Sequence, residues 1–167
     1  KSYGKAVPIK LVWTREDDTQ AGYFRPMYLH KLKAGLDKEG NIIAWQHRIV
    51  GQSIAAGTAY EAIGKDGIDP MSVEGAANLP YDIANVSVEL HTVDLPVPVM
   101  WWRSVGSSHT AHAREAFIDK LASITEQDPL AYRIAMLKGQ PKYQAVLKLV
   151  AEKSQWGKSL PPGRAKG

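Results

Sequence analysis

Alternation of apolar and polar side chains is clearest between Met27 and Val50. Residues 27–36 alternate with a period of two, residues 42–50 do so again, and a short turn containing Gly40 separates the two runs. Successive side chains of a strand point to opposite faces of a sheet, so each run predicts a half-buried strand. Two such runs joined by a glycine-containing turn predict a β-hairpin.

Two further strands are predicted outside the hairpin. Residues 86–93 alternate in the same way, with Val86, Val88 and Leu90 on one face, and two prolines end regular pairing shortly afterwards. A short apolar run at residues 9–13, placed before a cluster of charged residues, predicts an earlier strand.

The last third of the chain has a helical period instead. Residues 110–125 place Ala113, Phe117 and Leu121 at helical spacing, and either Ser107 or Ser108 is a candidate side-chain cap for the first turn.

Two shorter helices are predicted after it. Asp128 followed by Pro129 is typical of a helix start, and Gly139 marks its end. Pro141 begins the other helix, which we expect to bury a stripe of apolar residues and to end near Trp156.

Strands followed by helices predict an α+β fold with a mostly antiparallel sheet and three C-terminal helices packed on it. We expect residues 1–167 to form a single domain, with a strand-rich part at 1–100 and a helical part at 107–157. Its composition, 44% hydrophobic and 23% charged, is that of a globular protein.

Composition excludes several kinds of site. The chain has no cysteine, which excludes disulfides and thiolate-bound zinc or iron–sulfur clusters within it. The net charge of +4 lies mostly at the two ends, which argues against an extended nucleic-acid surface. No apolar run is long enough to cross a bilayer, and no signal peptide is visible. Because the sequence starts at Lys1 rather than Met, we expect an internal piece of a longer polypeptide.

The stretch before the first long helix is the leading candidate for chemistry. It combines a strand exit, small residues and a helix start, where backbone N–H groups and the helix dipole favour an anion or an oxo group. Arg103 adds a fixed charge with planar donors. The candidate residues are Trp102, Arg103, Ser104, Val105, Gly106, Ser107 and Ser108. The alternative is structural: Trp101 and Trp102 would be core aromatics, and Arg103 would form a surface ion pair.

Other combinations in this region are weaker. His109, His112 and Glu115 are spaced to share one side of a helix and could present a metal face, but a solvated helix start is the favoured interpretation. Two serines next to His109 lack the Gly-x-Ser-x-Gly turn of hydrolases, and catalytic partners usually come from separate segments. We therefore exclude a hydrolase.

Several segments, in the same order, resemble the xanthine dehydrogenase and aldehyde oxidase family. The likeness is stronger to its isoquinoline 1-oxidoreductase large-subunit branch, which includes proteins named membrane-bound aldehyde dehydrogenases. The Trp-Trp-Arg-Ser-Val-Gly-Ser-Ser sequence is the hallmark of that branch. The segments that carry the resemblance are residues 8–18, 23–26, 79–86, 101–108, 115–119 and 128–133.

The resemblance implies a role for the candidate stretch. In the wider family the matching segment reads Phe-Arg-Gly-Phe-Gly-Gly and lies against the molybdenum centre and the pterin, with its arginine at Arg103. Val105 stands where the wider family has a second aromatic that stacks on substrate. The catalytic glutamate of the family lies further towards the C-terminus, so no catalytic residue is expected in this chain.

The resemblance also implies the setting of the parent enzyme. That enzyme would hydroxylate an aldehyde or an N-heterocycle carbon with oxygen from water, using molybdenum bound to molybdopterin cytosine dinucleotide. Its partners would be the rest of the large subunit and a small subunit with two 2Fe–2S clusters. A periplasmic or membrane-associated location would follow.

Two other functions remain open on the residues alone. A non-catalytic α+β interaction or binding module would use Trp101, Trp102 and Tyr81 as contact aromatics. A weak nucleic-acid binder would use the basic ends, but the charges along the body alternate in sign, which disfavours it.

Overall fold

A computed structural model describes residues 7–61 and 67–166, and within them the chain forms three strands and four helices. This confirms the predicted α+β class. The elements are α1 (Arg15–Ala21), β1 (Tyr28–Leu36), β2 (Ile42–Gly51), β3 (Asn85–Thr92), α2 (Ser107–Ile124), α3 (Pro129–Met136) and α4 (Pro141–Ser154). No helix in the described ranges is both long and apolar enough to cross a bilayer.

The predicted hairpin is confirmed. β1 pairs antiparallel with β2, and the Asp37 carboxylate closes the turn by accepting the backbone N–H groups of Glu39 at 3.0 Å and Asn41 at 2.8 Å. Gly40 takes the positive φ of 82° that this turn requires. The register shifts between Gly35 and Leu36 at the turn end of β1, and Ile43 at this end of β2 is 46% exposed.

The sheet is mixed rather than mainly antiparallel. β3 lies at its predicted position, but it pairs in parallel with β2, giving the order β1-β2-β3. Residues 52–84 separate these two strands, and this long connection returns the chain to the starting end of β2. A period of two reports which face a side chain occupies, and it carries no information about strand direction.

The core lies between one face of the sheet and the helices α2 and α3. Trp45 of β2 is 2% exposed and meets the edge of the Phe117 ring, while Ile118 of α2 is fully buried. Burial of a side chain such as Ile118 stabilises the fold by about 1.5–3 kcal/mol. The Tyr132 hydroxyl donates to the Gly40 carbonyl at 2.8 Å, so α3 is fixed to the hairpin turn.

The strand predicted at residues 9–13 is wrong. That segment pairs with no strand of the described chain, and its side chains are exposed, Leu11 by 81%. Thr14 instead forms a capping box with Asp17 and starts α1. An apolar run forms a strand only where a neighbouring strand takes its backbone hydrogen bonds.

The two short C-terminal helices lie where they were predicted. Asp128 caps α3 by accepting the N–H groups of Leu130 at 3.0 Å and Ala131 at 2.8 Å. The expected buried stripe of α4 is wrong, because Tyr143, Val146 and Val150 are 54%, 60% and 58% exposed. Within the described residues nothing covers this face of α4.

Candidate functional site

The candidate stretch lies between an isolated strand bridge and the start of α2. Phe24 pairs with Val99 in this bridge, and its carbonyl accepts the N–H of Met100 at 3.0 Å. This fixes the entry to residues 102–108, which we call the site loop, and α2 begins inside it at Ser107. The loop is therefore held at both ends.

The functional side chains of the site loop lie at the surface. Trp102 is 59% exposed, and Arg103 and Ser104 are exposed as well. Trp102 is thus no core aromatic, whereas Trp101 is half-buried and packs edge-on against Tyr60. The Arg103 guanidinium forms no ion pair or hydrogen bond with residues 7–61 or 67–166. The surface ion pair that the structural alternative assigned to Arg103 is therefore absent from the described residues.

The loop backbone takes an unusual shape at its centre. Ser104 and Val105 have φ values of 74° and 43°, the left-handed region that a β-branched residue rarely enters. Such a conformation costs about 1–3 kcal/mol at each residue, so the surrounding structure must impose it. The Val105 N–H donates to the Trp102 carbonyl at 2.9 Å and closes the turn.

Two backbone N–H groups of this loop already have hydrogen-bond acceptors within the chain. The Gly106 N–H donates to the Glu74 carboxylate at 3.1 Å, and that of Val105 is engaged in the turn. The N–H groups of Arg103, Ser104 and Ser107 have no partner in the part of the chain that the structure describes. These three amides remain able to bind a ligand.

The predicted side-chain cap of α2 by Ser107 or Ser108 is wrong. Gly106 is the N-cap residue, and no side chain accepts a hydrogen bond from the first turn. The Thr110 hydroxyl instead donates to the carbonyls of Glu74 at 2.7 Å and Gly106 at 3.0 Å. The helix start is therefore fixed by the segment around Glu74.

Gly106 is needed because the backbone of another segment approaches it closely. A Cβ atom at this position would lie 2.3 Å from the carbonyl oxygen of Met71 and 2.8 Å from the Cβ of Glu74. No larger residue fits without moving the turn of residues 69–77 away from the loop. This contact could not be predicted from the sequence, because the two segments are over thirty residues apart.

A second arginine lies beside the loop. Arg25 donates to the Ser108 carbonyl at 3.3 Å, and its side chain is exposed. The Tyr23–Pro26 segment had been singled out only by resemblance, and the structure brings its arginine to the site loop. The Arg25 guanidinium therefore contacts the site loop at its last residue.

The three residues proposed as a metal face do not act together. His112 is exposed, while Glu115 accepts Arg114 at 2.7 Å, Arg133 at 2.9 Å and the Tyr81 hydroxyl at 3.0 Å. His109 points inwards and stacks on Tyr28. Among the described residues no group of three acidic, histidine or cysteine side chains could hold a metal ion.

The sequence profile of the molybdopterin cofactor-binding domain matches residues 3–137. The chain is 29% identical to isoquinoline 1-oxidoreductase subunit beta of Brevundimonas diminuta over 93% of its length, and 27% identical to a membrane-bound aldehyde dehydrogenase (pyrroloquinoline-quinone) of Gluconacetobacter polyoxogenes over 96%. It spans only 20% and 23% of those two relatives.

The fold has a counterpart among solved structures. The aldehyde oxidoreductase of Desulfovibrio gigas superposes with a TM-score of 0.66 over 86% of this chain and 16% of its own, at 20% sequence identity. At that identity the likeness concerns the fold alone.

Proposed function

The chain belongs to the molybdopterin cofactor-binding domain family, and we propose that it supplies, within a longer molybdenum hydroxylase subunit, the loop that lies against the molybdenum and the pterin. The observation that carries this proposal is the state of Arg103. Its guanidinium is exposed and lacks a counter-ion in the described residues, and it adjoins a strained turn with three free amides. Strained backbone that the surroundings enforce is often found at ligand sites.

The residues present fit an anionic or oxo-bearing group. Backbone N–H groups of Arg103, Ser104 and Ser107 offer donors at the start of a long helix, where the dipole adds positive potential. Ser104 is exposed and has too little side chain to block an approach. The Arg103 fork supplies two parallel donors, and Arg25 adds a second positive charge nearby.

The role of this chain would be to bind and orient the cofactor. When bound, the molybdenum cofactor supplies the two-electron oxidation. Donors fixed before the reaction stabilise negative charge without reorganising, which is how the loop would favour turnover. Val105 is aliphatic, so this position offers no ring to stack on a planar substrate.

We extend the proposal to the parent enzyme through its relatives. The substrate would be an aldehyde or an N-heterocycle, hydroxylated with oxygen from water, and the catalytic glutamate that assists this step would lie outside this chain. The cofactor would be the cytosine dinucleotide form, and a small subunit with 2Fe–2S clusters would accept the electrons. One relative is named as membrane-bound, which supports a periplasmic or membrane-associated site of action.

The rest of the large subunit is the partner that the uncovered apolar surfaces would meet. Val146 and Val150 of α4, together with Leu11 and Trp13 near the N-terminus, are all more than half exposed. We propose that residues 1–167 form one domain of that subunit and that these faces pack against its other domains.

A non-catalytic interaction module is the second candidate, favoured by the exposure of Trp102. Metal analysis of the purified full-length parent protein separates the two. We expect about one molybdenum per large subunit together with a pterin. Absence of molybdenum from an active preparation would overturn the proposal, and a bound quinone in its place would indicate the cofactor named for the Gluconacetobacter relative.

The Arg103→Ala variant of the parent enzyme tests the loop itself. Loss of one fixed donor at developing charge should lower kcat by about 100-fold. Because the Arg103 guanidinium is exposed and makes no hydrogen bond or ion pair within the described residues, the midpoint of thermal unfolding should stay unchanged. Arg164→Ala, at another exposed arginine, is the matched control and should leave turnover unchanged. Full activity in Arg103→Ala would remove this residue from the site.

A further inference from the structure

Three histidines from three elements form one hydrogen-bonded row directly behind the site loop. His47 Nε2 of β2 lies 2.8 Å from His30 Nδ1 of β1, and His30 Nε2 lies 3.2 Å from His109 Nδ1 of α2. Both nitrogens of His30 are used. His109 follows Ser108 directly, so the row connects the middle of the sheet to the end of the loop.

The row is partly buried, and its rings are held by neighbouring side chains. His47 is fully buried, and the His109 ring stacks on Tyr28 with ring centres 3.8 Å apart and planes 15° apart. The Tyr28 hydroxyl donates to the Gln52 carbonyl at 2.6 Å and lies 3.1 Å from the Ser72 hydroxyl. Neither ring can turn without breaking these contacts.

The charges around the row keep its rings neutral. Burial and the neighbouring His30 and Arg114 charges lower the pKa of His47 to about 4. Burial, followed by the charges of His30, His47 and Arg25, lowers the pKa of His109 to about 4 as well. No carboxylate of residues 7–61 or 67–166 bonds to any of the three rings, so nothing described there offsets an added proton.

Neutral rings impose a direction on the row. A neutral imidazole has one donor nitrogen and one acceptor nitrogen, so the two links can form only if all three rings are the same tautomer. Either choice leaves one donor and one acceptor without a partner, at His47 Nδ1 and His109 Nε2, the two ends of the row. The pairing therefore requires one shared tautomer in the three rings.

We propose that His30, His47 and His109 are a single positioning unit, with the ring hydrogen on the same nitrogen in all three, that sets the start of α2 and the shape of the site loop. The unit holds no metal, because the two nitrogens of His30 point to opposite sides and the lone pairs do not converge. It does not depend on what the loop binds.

Nitrogen-15 NMR of the histidine-labelled 167-residue chain at pH 7.5 tests the proposal without any substitution. The expected result is three neutral rings that share one tautomer. A protonated ring, different tautomers among the three or a mixture at any of them would overturn the proposed unit.

A pair of substitutions at the far end of the row tests the coupling. His47→Gln keeps an amide near the Nε2 position and should preserve the tautomers of His30 and His109. His47→Leu removes the link and should mix the tautomers of both remaining rings. It should also speed amide hydrogen exchange of residues 103–108 by about tenfold relative to His47→Gln.

A merely structural role for His47 would not alter a ring two links away. Should His109 keep one tautomer and the loop keep its exchange rate in a folded His47→Leu chain, the three rings do not act as a unit. Exchange in β3 serves as the check that the sheet is intact. These measurements use no activity and no cofactor, so they can fail while the proposed role of the loop stands.

Discussion

The Asp69→Ala chain should lose about 4 kcal/mol of unfolding free energy, because this carboxylate is the only charge buried in the turn that supports the site loop. Asp69 is 1% exposed. Its carboxylate accepts hydrogen bonds from Ser53 Oγ at 2.6 Å, Ser72 Oγ at 2.8 Å, Met71 N at 2.8 Å, Ile54 N at 3.0 Å and Ala55 N at 3.3 Å. Removal would leave several buried donors without their acceptor.

The hydrogen bonds, and not the burial, decide the charge of Asp69. Burial alone would raise the pKa of this carboxyl, but the donors of Ser53, Ser72, Met71 and Ala55 outweigh it and hold the pKa below the ordinary value. Asp69→Asn should therefore also destabilise the fold, since the NH₂ of its amide group would face hydrogen-bond donors instead of accepting from them. We expect it to lose nearly as much stability as Asp69→Ala.

The loss of stability in Asp69→Ala should also affect the site loop. Glu74 lies in the same turn and accepts the Gly106 N–H, so loosening residues 69–77 should expose that amide. Denaturant unfolding of the 167-residue chain measures the stability, and hydrogen exchange at Gly106 measures the loop. Asp94→Ala, at an exposed carboxylate outside these contacts, is the control and should change neither. Wild-type stability in Asp69→Ala would show that the turn does not depend on the carboxylate.

Local signals made the hairpin and α3 predictable. The turn of the hairpin needs only Asp37, Gly40 and their neighbours, and α3 needs only Asp128 and Pro129. Each is fixed by atoms within a few residues. The parallel direction of β3 depends on the long connection before it, which has no periodic pattern, and so the sequence did not reveal it.

The site loop was recognised, but its supports were not. Its position follows from a strand exit and a helix start close in sequence, whereas Glu74 and Arg25 reach it from distant segments. The exposed face of α4 has a different cause, because a helical period shows that a face is apolar without showing what covers it. The histidine row had a signal in the sequence, since the alternation of the two hairpin strands places His30 and His47 on the same faces as their apolar neighbours.

Acidification is expected to weaken the fold well before its carboxylates are protonated. His47 has a pKa of about 4 in the folded chain and about 6.5 when unfolded, so the unfolded state binds more protons between these values. The stability that this ring contributes is complete above pH 6.5 and is lost as the pH falls towards 4. One such ring accounts for about 3 kcal/mol between pH 7 and pH 4.

The histidine and carboxylate contributions separate by pH. Hydrogen bonds from Arg133 and Arg114 outweigh the burial of Glu115 and keep its pKa below the ordinary value, so its contribution is lost only below about pH 4. Unfolding free energies measured at intervals from pH 7 to pH 4 should therefore fall already between 6.5 and 5.

Substitutions assign that fall to the row. His47→Gln should reduce the fall because it removes one of the rings that titrate, whereas His112→Ala, at an exposed histidine of α2, should leave the profile as it is. If His47→Gln and the wild-type chain lose equal stability between pH 6.5 and 5, the histidine row does not control the acid response. A smaller fall in His47→Gln would mean that the neutral form of the row stabilises the fold, because the charges of Arg114 and Arg25 disfavour a proton on His47 and His109.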